Sequence, residues 1–574
     1  MTWTRLPLII VALLSLVACR GDSPHWESAD LVLRGGRVVT VDGQGTEATG
    51  VAIREGRIEM VGDDEGVSQH IGPETRVIEL DGRLAIPGFI EGHGHFLSLG
   101  DSKMILDLTV ARSWEEIVAM VASAAAEAEP GAWIRGRGWH QEKWDGEPVP
   151  SVEGAPVHAS LSGVSPENPV ILGHASGHAA FANAKAMELA GLSRDSVNPP
   201  GGELVRDSDG NLTGLLRETA QRAVSEALSA SKSGRSSEEV EATRRRMVEL
   251  AGEEALSKGV TSFHDAGVSF ETIDFYQQLE QEGVLPVRLY AMVRYQSNEE
   301  MAARLPEYRM TAEGDDFLTV RSIKRQIDGA LGSHGAWLLE PYEDLPESVG
   351  LVLEPEEEIA GTARVAMKHG FQVNTHAIGD RANRRVLDIY EEVFEANGMP
   401  ADLRWRIEHA QHLHPDDIGR FAELGIIAAI QGVHCTSDGP WVLKRLGSAR
   451  AEEGAYVWRK LIESGAILGN GTDVPVEAID PIASYYSSVS RVMRDGGVFY
   501  PEQKMTREEA LRSYTMNNAY AAFEEDLKGS LEVGKLADIT VLSQDILSVP
   551  EVEIPKTQVD LTIVGGEVRF ERPY

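Results

Sequence analysis

Four stretches of this chain end in residues that could hold a metal ion. His93 and His95 flank Gly94 in Gly88-Phe89-Ile90-Glu91-Gly92-His93-Gly94-His95. Side chains two apart on an extended strand point to one side, and Gly94 puts nothing between them, so both imidazoles can aim at one point. Taken alone, the pair is equally two unrelated histidines at a strand end. Three further segments change that balance. His376 closes Phe371-Gln372-Val373-Asn374-Thr375-His376, His409 closes Arg404-Trp405-Arg406-Ile407-Glu408-His409, and Asp473 closes Ile467-Leu468-Gly469-Asn470-Gly471-Thr472-Asp473. Imidazoles and a carboxylate are too polar to gather in a core without a cation. A cation bound by such a set lowers the pKa of a coordinated water toward neutrality and so creates hydroxide, the reagent of hydrolysis.

These residues need elements that bring them together. The middle of the chain alternates strand and helix patterns, which predicts βαβ units and a parallel sheet. Eight buried strands are expected, ending near His95, His264, Val293, Lys324, His376, His409, Gln431 and Asp473. Helices are expected over Glu356 to Lys368, Arg381 to Asn397 with Asp380 as its cap, and from Pro415 with Asp416 and Asp417 in its first turn. His376 and His409 are 33 residues apart, one βα unit. Eight such units read as a closed (β/α)8 barrel, and barrel enzymes place their reacting residues at the C-terminal ends of the strands. His95 and His264 are 169 residues apart, far beyond one unit, so a large insertion is expected near 100–255. Within it, Ser193 to Gly214 and Ser229 to Ser237 read as surface loops, and the insertion as a lid or a wall of the pocket.

Both ends of the chain have a different texture. Short strand candidates lie at Leu31 to Leu33, Arg37 to Val41, Val51 to Ile53 and Arg57 to Val61, and again at Ile539 to Leu542 and Leu561 to Val568. One small β domain built from both ends is the natural reading. Lys and Arg total 54 against 90 Asp and Glu, a net charge of −36. That excludes nucleic acid as a partner, because phosphate binding needs a basic face. It also excludes holding an anionic lipid surface by charge.

Leu6 to Ala18, preceded by Arg5, is a mostly apolar run of 13 residues, too short to span a membrane. It ends in Leu16-Val17-Ala18-Cys19, which resembles a bacterial lipoprotein box. The resemblance implies cleavage before Cys19, acylation of its sulfur and a lipid anchor in the cell envelope; an ordinary secretory peptide with a cysteine at its cleavage site is the alternative. The only other cysteine, Cys435, leaves no internal disulfide framework.

Six motifs together resemble the amidohydrolase superfamily, in particular amidohydrolase family 3, the group of the YtcJ-like proteins and N-substituted formamide deformylases. They are Pro87 to His95, Ile323-Lys324-Arg325-Gln326-Ile327-Asp328-Gly329-Ala330-Leu331-Gly332-Ser333, His376-Ala377-Ile378-Gly379-Asp380, Ile407-Glu408-His409-Ala410-Gln411, Gly471-Thr472-Asp473-Val474-Pro475, and Gly529 to Asp538. The fold implied is α/β: a distorted (β/α)8 TIM barrel with a small β-sandwich formed by both chain ends and the large insertion after strand 1. The layout is then a signal peptide over 1–18, a tether over 19–29, the sandwich over 30–87 and 526–574, and the barrel over 88–525.

The resemblance also implies a role for Lys324. By spacing alone it is a salt-bridging lysine; in related enzymes this position is carboxylated, and a carbamate can bridge two metals. His93, His95 and Asp473 would then bind one ion and His376 and His409 another, with Lys324 between them. Zinc suits this donor set, with manganese or iron as alternatives. Asp473 would take the proton of the attacking water as general base and return it to the leaving nitrogen, which leaves poorly unless protonated. His434 is either an oxyanion or substrate contact or a plain loop histidine. His264 is a candidate outer partner of the ligands; His140, His174 and His178 are candidates for the pocket lining; Trp139 reads as packing, and His412 and His414 as helix-start residues outside the site. Glu91 stands where the family more often has Asp, and His334 where it has Arg. The activity expected is hydrolysis of a non-peptide carbon–nitrogen bond in a small amide. Lactone, ester or phosphotriester hydrolysis at the same site, or a binding lipoprotein without turnover, are the alternatives.

Overall fold

The computed structural model describes residues 28–573. The expected signal segment, residues 1–18, and Cys19 lie outside the described residues. Among the latter, no helix is long and apolar enough to cross a membrane.

Eight parallel strands follow one another around a barrel: β1 (Phe89–Gly94), β2 (Val260–Val268), β3 (Arg288–Val293), β4 (Leu318–Gln326), β5 (Gln372–Ala377), β6 (Arg406–His409), β7 (Ile427–Gln431) and β8 (Leu468–Gly471). Their order in the sheet is their order in the chain. Parallel sheets covered by helices bury both faces, and these strands read accordingly as apolar runs rather than alternations. Phe89, Val260, Leu289, Val320, Val373, Ile407, Ala428 and Leu468, one from each strand, belong to a single buried cluster. The barrel closes just beyond the ends of β8 and β1, where Asp473 N donates to His93 O (2.8 Å) and His95 N to Val474 O (2.7 Å). Closure thus passes through the residues the sequence singled out.

Two strand ends differ from expectation. β2 runs four residues past His264 to Val268, through a bulge at Gly267; every residue of Val260–Val268 is buried, and the polar Asp265 is taken up inside by the hydroxyl of Tyr276. His264 therefore sits within a strand and not at its end. Asp473 follows β8 by two residues, in a left-handed backbone conformation (φ 58°). The helix expected from Arg381 spans Asp380–Ala396; Gly379 caps it, and Asp380 spends its carboxylate on Leu339 N (2.8 Å).

The inserted segment folds around a sheet of its own, in the order Gly202–Arg206, Leu212–Glu218, Ala179–Ala182, Val170–His174, Ile134–Trp139 and Leu106–Asp107. Trp114, Ile117, Trp139, Leu172 and Phe181 form its core. The expected loop over Ser193 to Gly214 is in part an antiparallel pair, Gly202–Arg206 against Leu212–Glu218. Its Leu204 and Leu216 pack on Val224, a burial that the flanking Pro and Gly residues concealed. Ser229 to Ser237 does link two helices, Gln221–Ser231 and Ser237–Ser257.

The chain ends meet as expected. Leu84–Pro87 pairs antiparallel with Ile539–Leu542, which joins both termini in one six-stranded sheet. A four-stranded sheet made of Leu31–Arg34, Gly50–Arg54, Arg57–Gly62 and Arg76–Glu79 packs against it, sharing a core of Leu33, Ile53, Ala85, Val541 and Ile563. Asp538, the last residue of the sixth motif, grips Arg288 at the start of β3 (2.8 and 3.0 Å) and ties this sandwich to the floor of the barrel.

Candidate metal centre

β1, β4, β5, β6 and the segment after β8 deliver all six expected residues to one cavity of about 720 Å³, whose walls include His93, His95, Lys324, His376, His409 and Asp473. The ligand-type atoms of His93, His95 and Asp473 all lie within 4.8 Å of one another. Asp473 Oδ1 is 3.2 Å from His95 Nε2 and 3.6 Å from His93 Nε2. Lys324 Nζ is 3.3 Å from His93 Nε2. The rings of His93 and His409 stand 4.7 Å apart between centroids, and those of His409 and His376 stand 4.4 Å apart.

Neighbouring side chains hold these rings by the nitrogen turned away from the cavity, as partners of metal-bound histidines do. His93 Nδ1 pairs with Glu408, which is itself locked to Arg406 (2.6 Å). His409 Nδ1–H donates to Gln431 Oε1 (2.7 Å). Asp328 accepts the backbone N–H groups of Trp337, Ile378 and Gly379 (2.8, 3.0 and 2.8 Å), which pins the loop after β4 to the one that follows His376. Glu91, fully buried, reaches across to Thr472 N (2.5 Å), so the longer side chain at this position braces the segment that carries Asp473 rather than entering the cavity.

Electrostatics suit a cation. Burial, helped by the cation of Lys324, pushes His93 down to about 4, and burial likewise drives His376 and His409 well below the usual imidazole range. Neutral imidazoles are the form that ligates. Burial works against the Asp473 carboxylate, yet His95 and His93 beside it win and keep it ionised. Burial brings the Lys324 amine down to about 7, and it lifts Glu91 to about 8 and Asp328 to about 7. His376 Nε2 is buried without a hydrogen bond, an orphaned atom that a cation would satisfy. Three neutral imidazoles and an ionised carboxylate therefore fit a divalent metal.

The remaining expected residues divide. His434 lines a small second cavity of about 50 Å³ together with His376, His409 and Asp473; its Nδ1 pairs with Gln411 (3.0 Å). His178 lines both cavities, and His140 the small one. His174 is turned into the insertion, against Trp139 and Ser176. His264 touches neither cavity; its Nδ1 meets Arg406 (3.1 Å), two side chains removed from His93. His334 packs away from the large cavity against Asp344 (3.2 Å). His412 is buried beside Tyr456, and His414 caps the helix Pro415–Leu424. Sequence reasoning passed over Glu408, Gln431, Asp328 and Glu218. Glu408 and Asp328 sit inside the quoted motifs and Gln431 at an expected strand end, where position could have flagged them; Glu218, on an insertion strand, gave no local signal.

A model of the amidohydrolase family matches residues 76–570. The protein LONG AFTER FAR-RED 3 of Arabidopsis thaliana is 34% identical over 556 residues, covering 94% of this chain and 91% of that protein. An N-substituted formamide deformylase of Arthrobacter pascens is 27% identical over 552 residues, covering 95% and 98%. Among solved structures, an uncharacterized metal-dependent hydrolase from Pyrococcus horikoshii aligns with a TM-score of 0.71 at 27% identity, over 91% of this chain and 99% of that one. With a barrel whose mouth gathers four imidazoles, a lysine and an aspartate, and with a family match over most of its length, this chain belongs to the amidohydrolase family.

Proposed function

We propose that the chain is a metal-dependent hydrolase of carbon–nitrogen bonds other than peptide bonds, acting on a small-molecule amide. One observation carries this reading: His93, His95 and Asp473 offer ligand atoms within 4.8 Å of one another on the wall of the large cavity. His93, His95 and Asp473 would hold one ion, His376 and His409 a second, with a carboxylated Lys324 between them. Support for the carbamate comes from the amine itself. Burial holds it at about 7, so much of it is neutral near physiological pH, and only a neutral amine adds to carbon dioxide. Zinc fits the imidazole and carboxylate donors.

A divalent cation bound there supplies positive charge that polarises a carbonyl and acidifies water. The rest falls to the chain's own groups. Asp473, kept ionised and facing the cavity, accepts the proton of the attacking water as the new carbon–oxygen bond forms. It passes that proton to the departing nitrogen as the carbon–nitrogen bond breaks. His434, beside His409 across the small cavity, is placed to hydrogen-bond the substrate's oxygen. The name of the Arthrobacter pascens relative, an N-substituted formamide deformylase, makes N-formyl amines the first substrates to try. A lipid anchor at Cys19, placing the enzyme on the outer side of a bacterial membrane, belongs to the same proposal and rests on Leu16 to Cys19 alone.

The test is metal analysis joined to a panel of N-acyl and N-formyl amines, with wild type and Asp473→Asn. Wild type is expected to hold at least one divalent ion per chain and to turn over a member of the panel. Metal-loaded wild type and Asp473→Asn showing equal turnover would refute the mechanism.

A further inference from the structure

The insertion sends one imidazole to the reaction site, and the barrel is shaped to receive its support. His178 lies between the insertion strands Val170–His174 and Ala179–Ala182. Its Nδ1 is 2.8 Å from Glu218 Oε2, and both side chains are nearly closed to solvent (13% and 4% exposed). The His178 ring stands 5.3 Å from that of His376. Nε2, the atom left over, has no hydrogen bond among the described residues.

Its place in the cavities is telling. Among the described residues, only Ser176, His178, His376, His409, Asp473 and Val476 line both the large cavity and the small one behind it. A substrate reaching from one cavity into the other passes along this shared wall. Three of the six are candidate metal ligands, and His178 is the one remaining residue there with an ionisable side chain. It also stands outside the cluster that His93, His95 and Asp473 make.

Glu218 is held with unusual effort. Its backbone is left-handed (φ 49°), a conformation that costs a non-glycine residue about 1 kcal/mol or more. Its Oε1 is buried without a hydrogen bond. The barrel loop after β4 makes room for it: a Cβ on Gly329 would lie 2.2 Å from that oxygen, and one on Gly335 2.4 Å. Gly329 belongs to the Asp328-Gly329-Ala330-Leu331-Gly332-Ser333 motif, and a glycine is needed there because a carboxylate from another part of the chain occupies the space. A purely structural pair would satisfy both carboxylate oxygens; this one satisfies only the oxygen that steers the histidine.

We propose that His178 is a further catalytic residue, hydrogen-bonding the scissile amide through Nε2, and that Glu218 is the residue that positions it. The inference rests on the hydrolase reading of the preceding subsection, and its test separates the two. Release of 4-nitroaniline from 4-nitroacetanilide and 4-nitroformanilide is followed for wild type, Asp473→Asn, His178→Ala, Glu218→Gln and the His178→Ala/Glu218→Gln double variant, with metal content and thermal melting of each. His178→Ala is expected to lower kcat about 100-fold at unchanged metal content, the loss that one transition-state hydrogen bond accounts for. Glu218→Gln is expected to cost about tenfold alone and nothing further in the His178→Ala background, a coupling that a merely structural role does not produce. Should His178→Ala fail to fold, His178→Asn takes its place.

If Asp473→Asn loses turnover while His178→Ala stays within about threefold of wild type, the inference falls and the hydrolase reading stands. Loss of an ion from His178→Ala makes His178 a ligand and overturns the inference as well. A full Glu218→Gln effect without the histidine removes its positioning role. Wild type idle on both probes, or equalled by Asp473→Asn, overturns the hydrolase reading and this inference with it.

Discussion

The two ends of the barrel treat buried polar groups in opposite ways. At the floor, Arg288 gives Nε and one terminal nitrogen to Asp538 and the other to the carbonyls of Asp315 and Asp316, while Asp538 also accepts Gly565 N (2.8 Å). Charge meets charge there. At the mouth, His376 Nε2, His434 Nε2 and Glu218 Oε1 are all buried without hydrogen bonds. Leaving such groups unpaired costs roughly 1–3 kcal/mol each, so a structure tolerates several in one place only where something else completes them. The contrast follows the division of labour in barrels of this type, with stability at the N-terminal face and chemistry at the C-terminal one. It implies that variants at the mouth should cost turnover and metal, and variants at the floor should cost folding.

The largest effect belongs to the mouth. Asp473→Asn removes the carboxylate proposed to carry the proton and leaves the shape nearly unchanged. Turnover is expected to fall about 10³-fold, the scale of a lost general acid–base, with little change in melting temperature. A large drop in melting temperature together with the lost activity would mean that Asp473 is structural, and would break the contrast.

Next comes the floor. Arg288→Met leaves Asp538 buried without its cation, and breaking one side of a buried pair costs about 3–5 kcal/mol. The midpoint of denaturant unfolding should fall sharply, while folded protein keeps its metal content and its kcat. Loss of metal in the folded fraction would show that the two ends are coupled.

How the two ends appeared in the sequence differs in an instructive way. The mouth was legible because each of its residues lies within two positions of the end of a strand. His93-Gly94-His95, His376, His409 and Asp473 could be found from local patterns and spacing, whereas Lys324 took its role only from the family resemblance. The side chains behind them were not, because Glu408 and Gln431 take their meaning only from which ring they face across the sheet. Glu218 belongs to no motif and no period, and it precedes Gly329 by 111 residues; only the folded chain brings the two together. The floor was half visible: Asp538 closed a quoted motif, but its partner Arg288 carried no signal. His264 was misplaced because the strand buries its polar residues as well, Asp265 included, so polarity does not mark where it stops.

A smaller effect sharpens the account of the mouth. Gln431→Ala removes the acceptor of His409 Nδ1–H without touching the cavity. Metal affinity is expected to drop about 10- to 100-fold, the usual penalty for losing an outer partner of a ligand, with kcat restored at saturating metal. Titration of metal-free protein, followed by activity, measures this. An unchanged midpoint would remove His409 from the ligand set, since its ring orientation would then not matter to the ion.

The smallest effect concerns Lys324. Its amine, held at about 7 by burial, is mostly protonated at pH 6 and mostly neutral at pH 8. Carbamate formation needs the neutral amine, so reactivation of metal-free, carbon-dioxide-depleted protein should speed up as pH rises through that range. At constant dissolved carbon dioxide and saturating metal, the gain from pH 6 to pH 8 is about tenfold and levels off above. An ordinary lysine, with a pKa of about 10.4, would still be gaining about tenfold per pH unit there. Reactivation that ignores carbon dioxide altogether would return Lys324 to the role of a buried cation beside His93, and Lys324→Met would then keep its metal.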